Sequence, residues 1–564
     1  MKHPRSSLLT TALLILLLAF VTHSVAAQCS SDNSRETVSG TVFLDSNEND
    51  QHDQGEAGIA GVSVSNGCEV VQTDSDGHYS LSLAATDILF ISKPADFAVP
   101  VDENNLPQFF YRHYPEGTPS RIAGTDVEWL FPVVTPTGPL PESVDFALTS
   151  LPDASPGFRA YGFADTQARY DTGQDMLRED LVTPLIGNPD GAQFGLTVGD
   201  VVYDNLTLYE RHKVMMGLMG VPQWYLPGNH DVNFESPDSV FANETYKSHF
   251  GPTYYSFNHG EAHIVALNNV EYAGAGKEFA DGRYRGFISE RQLNWLEQDL
   301  AQVPTDKLIV IATHIPLITE ADDGRNTIAT GPHTENLQRL MDILTPFPHI
   351  YGLAGHDTSN SWKVEISHRH GWTGQPWIAH TLAEVRGSGW TQGPADLRGV
   401  RDAMMDDGNP NGYYVMHFDG VELTPEFIPF PFGSDADQRL RITLDPPLVN
   451  DREISLNRGV MATGTMLVVN LFDGGIRDKV WVSLDGSEAI AMQYTVRTDP
   501  FVERAHARFA DTDDEYGSAT RSSHIWQWPI PAGLAPGLHV VSVTSEDEFG
   551  QRQRGAMSFE ILPE

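Results

Sequence analysis

An apolar run, Val221 to Leu226, stops at Pro227-Gly228 and hands over to an amide, an imidazole and a carboxylate, Asn229-His230-Asp231. A strand ending on such a turn delivers three polar groups to one loop, at the end where open α/β sheets place their sites. Asn oxygen, His nitrogen and Asp oxygen can all ligate or orient a divalent metal. An ordinary turn uses the same residues, so the stretch alone does not choose between turn and site.

Four more segments repeat the design. Arg159 to Ala164 ends at Asp165, and Phe194 to Val198 runs into Gly199-Asp200. Leu308 to Thr313 runs into His314, and Ile350 to Ala354 into Gly355-His356. One buried Asp or His at a strand end is commonly a satisfied core group. Five such ends in the order Asp, Asp, Asn-His-Asp, His, His point to a metal centre. The segments between them read as helices. Asp175 to Ile186 carries apolar residues at Met176, Leu177, Leu181 and Leu185. Ser289-Glu290-Arg291-Gln292 is a capping box before Leu293, Leu296 and Leu300, and Leu337, Leu340, Met341 and Leu344 mark another apolar face. Strands alternating with helices mean an α/β fold.

The blocks stand as Asp165-Thr166-Gln167, Gly199-Asp200-Val201-Val202-Tyr203, Gly228-Asn229-His230-Asp231, His314 and Gly355-His356-Asp357-Thr358. In order and spacing they resemble the calcineurin-like metallophosphoesterase superfamily, whose blocks read D-x-H, G-D-x-x-D or G-D-x-x-Y, G-N-H-D/E, H and G-H-x-H. The resemblance runs from Phe158 to Trp390. It implies a two-sheet α/β/β/α sandwich with the metal loops at one edge. The flanking regions resemble the N- and C-terminal domains of one bacterial branch, which implies β-sandwich domains on both sides.

The resemblance also implies ligands. Asn229, His314 and His356 would complete one site around a bridging Asp200. The other site would use Asp165 and Asp200 with two histidines, but Gln167 and Thr358 stand at those positions. Tyr203 falls where purple acid phosphatases place a metal-binding tyrosinate. One or two ions of iron, manganese or zinc are expected, the second held weakly. Such metals lower the pKa of water and neutralise phosphoryl charge. The expected function is therefore hydrolysis of small phosphate mono- or diesters by a metal-activated hydroxide. His230 would be the catalytic acid, oriented by Asp231. The alternative is an exported binding protein whose catalytic domain has decayed to a single metal.

The first 27 residues read as a signal peptide, with Lys2 and Arg5 before an apolar core and Val25-Ala26-Ala27 at the cleavage site. A periplasmic or secreted protein with no membrane segment after cleavage is expected. There are 36 basic and 76 acidic residues, a net charge of −40, which argues against nucleic acid as a partner. Cys29 and Cys68, the only cysteines, are expected to form a disulfide, with two free thiols or a lipidated Cys29 as the other readings.

Residues 28–155 read as a β domain, 156–390 as the catalytic domain and 391–564 as a second, Ig-like β domain. In the first, Asp45, Asn47, Asn49, Asp53 and Glu56 fall at positions 1, 3, 5, 9 and 12 of a loop with the oxygen spacing of a calcium site. That loop resembles the calcium loops of B-type repeats in Gram-positive surface adhesins. His380, after Trp377, reads equally as a pocket residue or a structural one.

Overall fold

The computed structural model describes residues 35–151, 155, 157–280, 282–322, 327–329, 333–430, 439–450 and 457–563. The expected signal peptide and Cys29 lie outside them. Among the described residues, no helix is long and apolar enough to cross a membrane.

Two sheets form the centre of the molecule. The first runs in the order Gln223–Leu226, Gly195–Val198, Gly157–Phe163, Gly412–Asp419, Glu422–Pro429. The second runs Tyr255–His259, Ala262–Ala266, Leu308–Ala312, His349–Ala354, Trp377–Thr381, Trp362–Ile366. The strands that carry the expected ligands pair in parallel within each sheet, so their C-terminal ends point the same way.

Side chains alternate between the faces of a strand, and the first sheet uses both faces. Ala160, Leu196, Val198, Trp224 and Met416 pack into the core shared with Ile264, Val310 and Leu353 of the second sheet. Tyr161, Phe163 and Val415 face outward into a separate cluster with Leu177, Leu181, Met215 and Met216, under the helices Asp171–Leu177 and Tyr209–Gly217. The second sheet is covered by Glu290–Leu300 and Leu337–Leu344, which place Leu293, Leu296, Leu340 and Leu344 in the shared core. Ser289 caps the first of these, accepting a hydrogen bond from Gln292 N. The layering is helix, sheet, sheet, helix, as expected.

Each side carries a β domain. On the N-terminal side, Arg35–Leu44 pairs with His78–Ala84 and Phe146–Ser150 in one sheet, and Asp87–Ser92 with Ser63–Ser65 and Phe110–His113 in another. The second sheet continues toward the centre: Lys93 bridges Phe257, and Ser92 Oγ meets Ser256 Oγ at 2.6 Å. On the C-terminal side, a four-stranded sheet from Leu440–Asp445 to Gln493–Thr498 faces a five-stranded one centred on Gly537–Glu546 and Arg552–Ile561. Their shared core holds Leu467, Val469, Trp526, Val541 and Phe559.

The boundary expected after residue 390 does not separate two sheets. Gly412–Asp419 pairs antiparallel with Gly157–Phe163 in the first central sheet, and Glu422–Pro429 follows as its edge. The central domain is therefore built from both sides of that boundary.

Candidate metal centre

All five ligand-bearing loops leave strand ends along one edge of the sandwich. Three of the expected ligands sit in the left-handed backbone region, Asp165 at φ 51°, Asp200 at φ 50° and His356 at φ 72°. Side chains rarely adopt that conformation, and it persists where the surrounding structure fixes it. Three glycines let the loops close on one another. A Cβ on Gly228 would lie 2.1 Å from Asp200 Oδ1, one on Gly355 2.4 Å from Asp165 Oδ2, and one on Gly199 2.5 Å from His314 Nδ1.

The approach gathers lone pairs around one nitrogen. His314 Nε2 lies 3.0 Å from Asn229 Oδ1, 3.2 Å from Asp200 Oδ1 and 3.2 Å from His356 Nδ1. Its Nδ1 lies 2.9 Å from the Val198 carbonyl, which only accepts, so Nδ1 carries the proton and Nε2 turns its lone pair inward when the ring is neutral. Ligand atoms of Asp200, His314 and His356 all fall within 4.8 Å of one another. Asn269 fixes the loop from behind, its Oδ1 accepting from His314 N at 3.1 Å and Ile315 N at 3.0 Å. Buried oxygens and imidazole nitrogens converging without donors between them fit a divalent cation.

In the metal-free chain the cluster holds a proton on His314, which a bound cation would displace. Burial pushes Asp200 up, but the facing His314 and His230 outweigh it and hold the carboxyl well below its usual range. Burial pulls His314 down, and Asp200 more than offsets it, raising the ring to about 9. Burial and the neighbouring His314 push His356 down to about 3.

The second expected site is assembled differently. Asp165 is fully buried, its Oδ2 accepting from His356 N at 2.9 Å, and burial raises its pKa to about 7. Gln167 Nε2 donates to Asp200 Oδ2, while Gln167 Oε1 and Asp165 Oδ1 are buried without partners. Thr358 is exposed to solvent, away from the centre. The adjacent Asp357 is turned aside, accepting from Trp362 Nε1 at 2.6 Å and Ser359 N at 3.0 Å. Tyr203 meets the site through its ring. It stacks on His230 with centroids 3.9 Å apart, and the Arg169 guanidinium lies 4.4 Å from its ring centre.

His230 stands at the rim, about one-fifth exposed. Its backbone N–H donates to Asp200 Oδ1 at 2.9 Å, which fixes the residue against the centre. The carboxylate expected to orient its ring, Asp231, points the other way. Asp231 is fully buried and accepts from Gly228 N at 2.8 Å, Val201 N at 3.1 Å, Val202 N at 3.4 Å and Tyr209 Oη at 2.7 Å. It braces the two metal loops. The partner of His230 is Asp204, whose Oδ1 lies 2.7 Å from Nδ1. Burial lowers the His230 pKa, but Asp200 and Asp204 outweigh it, so the ring titrates above its ordinary value.

Three further residues reach the site. Tyr284 stands edge-on to His356, ring centroids 5.9 Å apart. The backbone N–H of Arg386 donates to Asp165 O at 3.2 Å, and its guanidinium lies 5.6 Å from the Tyr203 ring centre. Glu384 is fully buried beside Asp165, with neither carboxylate oxygen hydrogen-bonded. His380 belongs elsewhere: Nε2 lies 3.0 Å from Asp473 and Nδ1 3.1 Å from Tyr351 Oη, a structural link to the C-terminal domain.

In the N-terminal loop, Asp45 Oδ1 accepts from the backbone N–H groups of Asn47, Glu48 and Asn49 at 3.2, 2.7 and 3.3 Å. Asp53 Oδ2 takes both Asn47 and Asn49 side-chain amides at 2.9 Å, and Glu56 accepts from Ser46 N and Asp53 N at 2.8 and 3.0 Å. The expected calcium ligands surround one loop, with their oxygens engaged by its own N–H groups.

Two stretches of the chain match models of a known family. The family model for the C terminal of calcineurin-like phosphoesterase matches residues 380–552, and that for the N terminal matches residues 46–123. The ligand blocks lie between the two matched stretches. No curated protein matches significantly. Among solved structures, purple acid phosphatase PPD1 from yellow lupin (Lupinus luteus) seeds aligns at 12% identity with a TM-score of 0.33, covering 70% of this chain and 66% of that one. Two stretches of the chain are thus similar to the N- and C-terminal parts of calcineurin-like phosphoesterases, one on either side of the expected metal loops.

Proposed function

We propose that this chain is an exported, metal-dependent hydrolase of small phosphate esters, acting in the periplasm or outside the cell. The observation that carries the reading is the convergence of Asn229 Oδ1, Asp200 Oδ1 and His356 Nδ1 on His314 Nε2. A divalent ion of iron, manganese or zinc held by these four residues would polarise a phosphoryl oxygen and lower the pKa of an attacking water.

The chain's own residues do the rest. Asp200 and Asp231 lock the Gly228-Asn229-His230 turn, so Asn229 faces the centre and His230 the rim. Asp204 and the Tyr203 ring fix the His230 imidazole with Nδ1 on the carboxylate, leaving Nε2 to hand a proton to the leaving oxygen. Arg386 and Arg169, both beside the Tyr203 ring, supply positive charge for the phosphoryl oxygens. The signal-like first 27 residues support export.

The test is turnover of aryl phosphate monoesters and diesters by the metal-stripped chain after readdition of Mn2+, Fe2+ or Zn2+. Metal-restored hydrolysis of one ester class is expected. A chain that binds metal stoichiometrically yet hydrolyses neither class with any of the three ions overturns the proposal.

A further inference from the structure

We propose that the C-terminal β domain supports the metal centre directly, with its His524 acting as a positioning residue for the expected ligand His356. The inference rests on the metal-dependent reading above and adds to it a residue from outside the central domain.

The loop that carries His356 has little slack. His356 sits at φ 72°, a conformation that persists where the surroundings fix it. The chain beyond it is tied step by step. Asp357 N donates to Gly355 O at 2.9 Å, and Ser359 N to Asp357 Oδ1 at 3.0 Å. Ser359 O then accepts from Asp407 N at 3.0 Å, and Ser361 N donates to Asp407 Oδ2, also at 3.0 Å. Asn409 Nδ2 donates to Ser361 Oγ at 2.7 Å. The place of His356 is thus linked to the place of Asp407.

Asp407 is held in turn by the C-terminal domain. His524, in the strand Arg521–Pro529, sets Nε2 2.8 Å from Asp407 Oδ2. Its Nδ1 lies 2.8 Å from Oδ1 of Asn470, in the paired strand Met466–Leu471, and Asn470 Nδ2 donates to Asp407 O at 3.1 Å. The same domain also reaches the loop without an intermediary. Ser523 Oγ donates to Ser361 O at 2.8 Å, and Asn360 Nδ2 donates to Arg521 O at 2.9 Å. Ser361, Asp407, Asn470 and His524 are each no more than 1% exposed.

A contact that only glued two domains together would not need this arrangement. Apolar packing holds sheets together without choosing a loop's position, whereas a buried and satisfied polar network selects one geometry. Here the bonds end on residues 359–361, just beyond a metal ligand. Removing the His524 ring leaves the Asp407 carboxylate buried without one of its partners, a costly state that the loop can relieve by moving.

The experiment uses the full chain, stripped of metal and titrated with Co2+, with affinity read by calorimetry and the ligand arrangement by the visible bands of the bound ion. His524→Ala should bind Co2+ about 2–30-fold more weakly than the wild type and shift those bands. Ser523→Ala, a smaller change that keeps the fold, should move both readings in the same direction. His524→Gln, whose amide nitrogen reaches about as far as Nε2, should restore them. Val541→Ala thins the core of the same domain away from the loop, and should lower the melting temperature while leaving affinity and bands as they are. Wild-type affinity and bands in both His524→Ala and Ser523→Ala overturn the proposal and leave the hydrolase reading intact. A loss in Val541→Ala as large as in His524→Ala also overturns it, since any loosening of the domain would then suffice. A wild type that binds no Co2+ overturns both readings.

Discussion

Replacing Asp204 by Asn removes a charge 2.7 Å from His230 Nδ1 and leaves the metal ligands in place. The pair is partly solvated, with the His230 side chain 20% and the Asp204 side chain 39% exposed. Solvent screens such a pair, so its contribution is ~0.5–1 kcal/mol, or about two- to fivefold in the balance between protonated and neutral imidazole. His230 titrates above its ordinary value, so it contributes stability that is complete below the unfolded-state pKa and is lost as pH rises through the folded one. Asp204→Asn should therefore melt below the wild type in acid and match it in alkali. Catalysis follows the same direction, because a proton donor must hold its proton: the alkaline limb of kcat should move to lower pH. The assay is a pH–rate profile on an ester with a poor leaving group, both proteins carrying the same metal. A substrate with a good leaving group needs no proton and should show a smaller change. An alkaline limb that stays in place in Asp204→Asn but moves in Asp231→Asn would refute the assignment of Asp204 as the partner.

Asp231→Ala should act on stability, because it strands the buried N–H groups of Gly228, Val201 and Val202 and the Tyr209 hydroxyl, at ~1–3 kcal/mol for each lost partner. Thermal melting tests this, and an unchanged midpoint counts against the bracing role. Gly228→Ala places a Cβ 2.1 Å from Asp200 Oδ1 on a backbone whose φ of −108° accepts alanine, so its cost is steric, ~1–3 kcal/mol. It should lower both the melting temperature and metal affinity, and a variant that loses neither shows that the loops can part. His356→Ala should strip more metal on dialysis than Asp165→Ala, since it opens the cluster around His314; elemental analysis giving the reverse order would invert the ranking of the two sites. In the N-terminal domain, Cys29 and Cys68 should appear linked in non-reducing peptide mapping, and Asp53→Ala should abolish any calcium-dependent rise in melting temperature. Two free thiols, or melting indifferent to calcium, would remove the respective expectation.

The expected metal ligands could be picked out from the chain because each follows an apolar strand, so a local pattern announces it. Asp165, Asp200, Asn229, His314 and His356 are all of this kind. Asp204 is not. It sits in the turn beyond Tyr203, where an acidic residue looks like any other solvated loop position. Tyr284 comes from a two-stranded ribbon, Val270–Tyr272 with Tyr284–Gly286, that has no apolar lead-in. Glu384 is flanked by Leu382, Ala383 and Val385, and the depth of that segment depends on the Asp165 turn lying against it. Asp231 departs from the expected pairing with His230 for a related reason. Adjacency in sequence suggested a His–carboxylate pair, but the short helical turn Asn229–Asp231 points successive side chains in different directions. The boundary at 390 failed because Gly412–Asp419 alternates like a strand of the outer sandwich. Which sheet it joins is set by its long-range pairing with Gly157–Phe163, which leaves no local mark.

That pairing bears on how the protein comes into being. Until Gly412–Asp419 has been made, Gly157–Phe163 has a bare edge, and the turn bearing Asp165 hangs from the end of it. Phe163 and Gly412 are separated by 249 positions (412 − 163), so a chain that emerges N-terminus first exposes the one strand well before the other can reach it. Through that interval the strand offers its unpaired N–H and C=O groups to any other nascent chain. A fragment ended at residue 390 would keep the bare edge permanently, and should collect in the insoluble fraction even though it contains all five of the expected ligand loops.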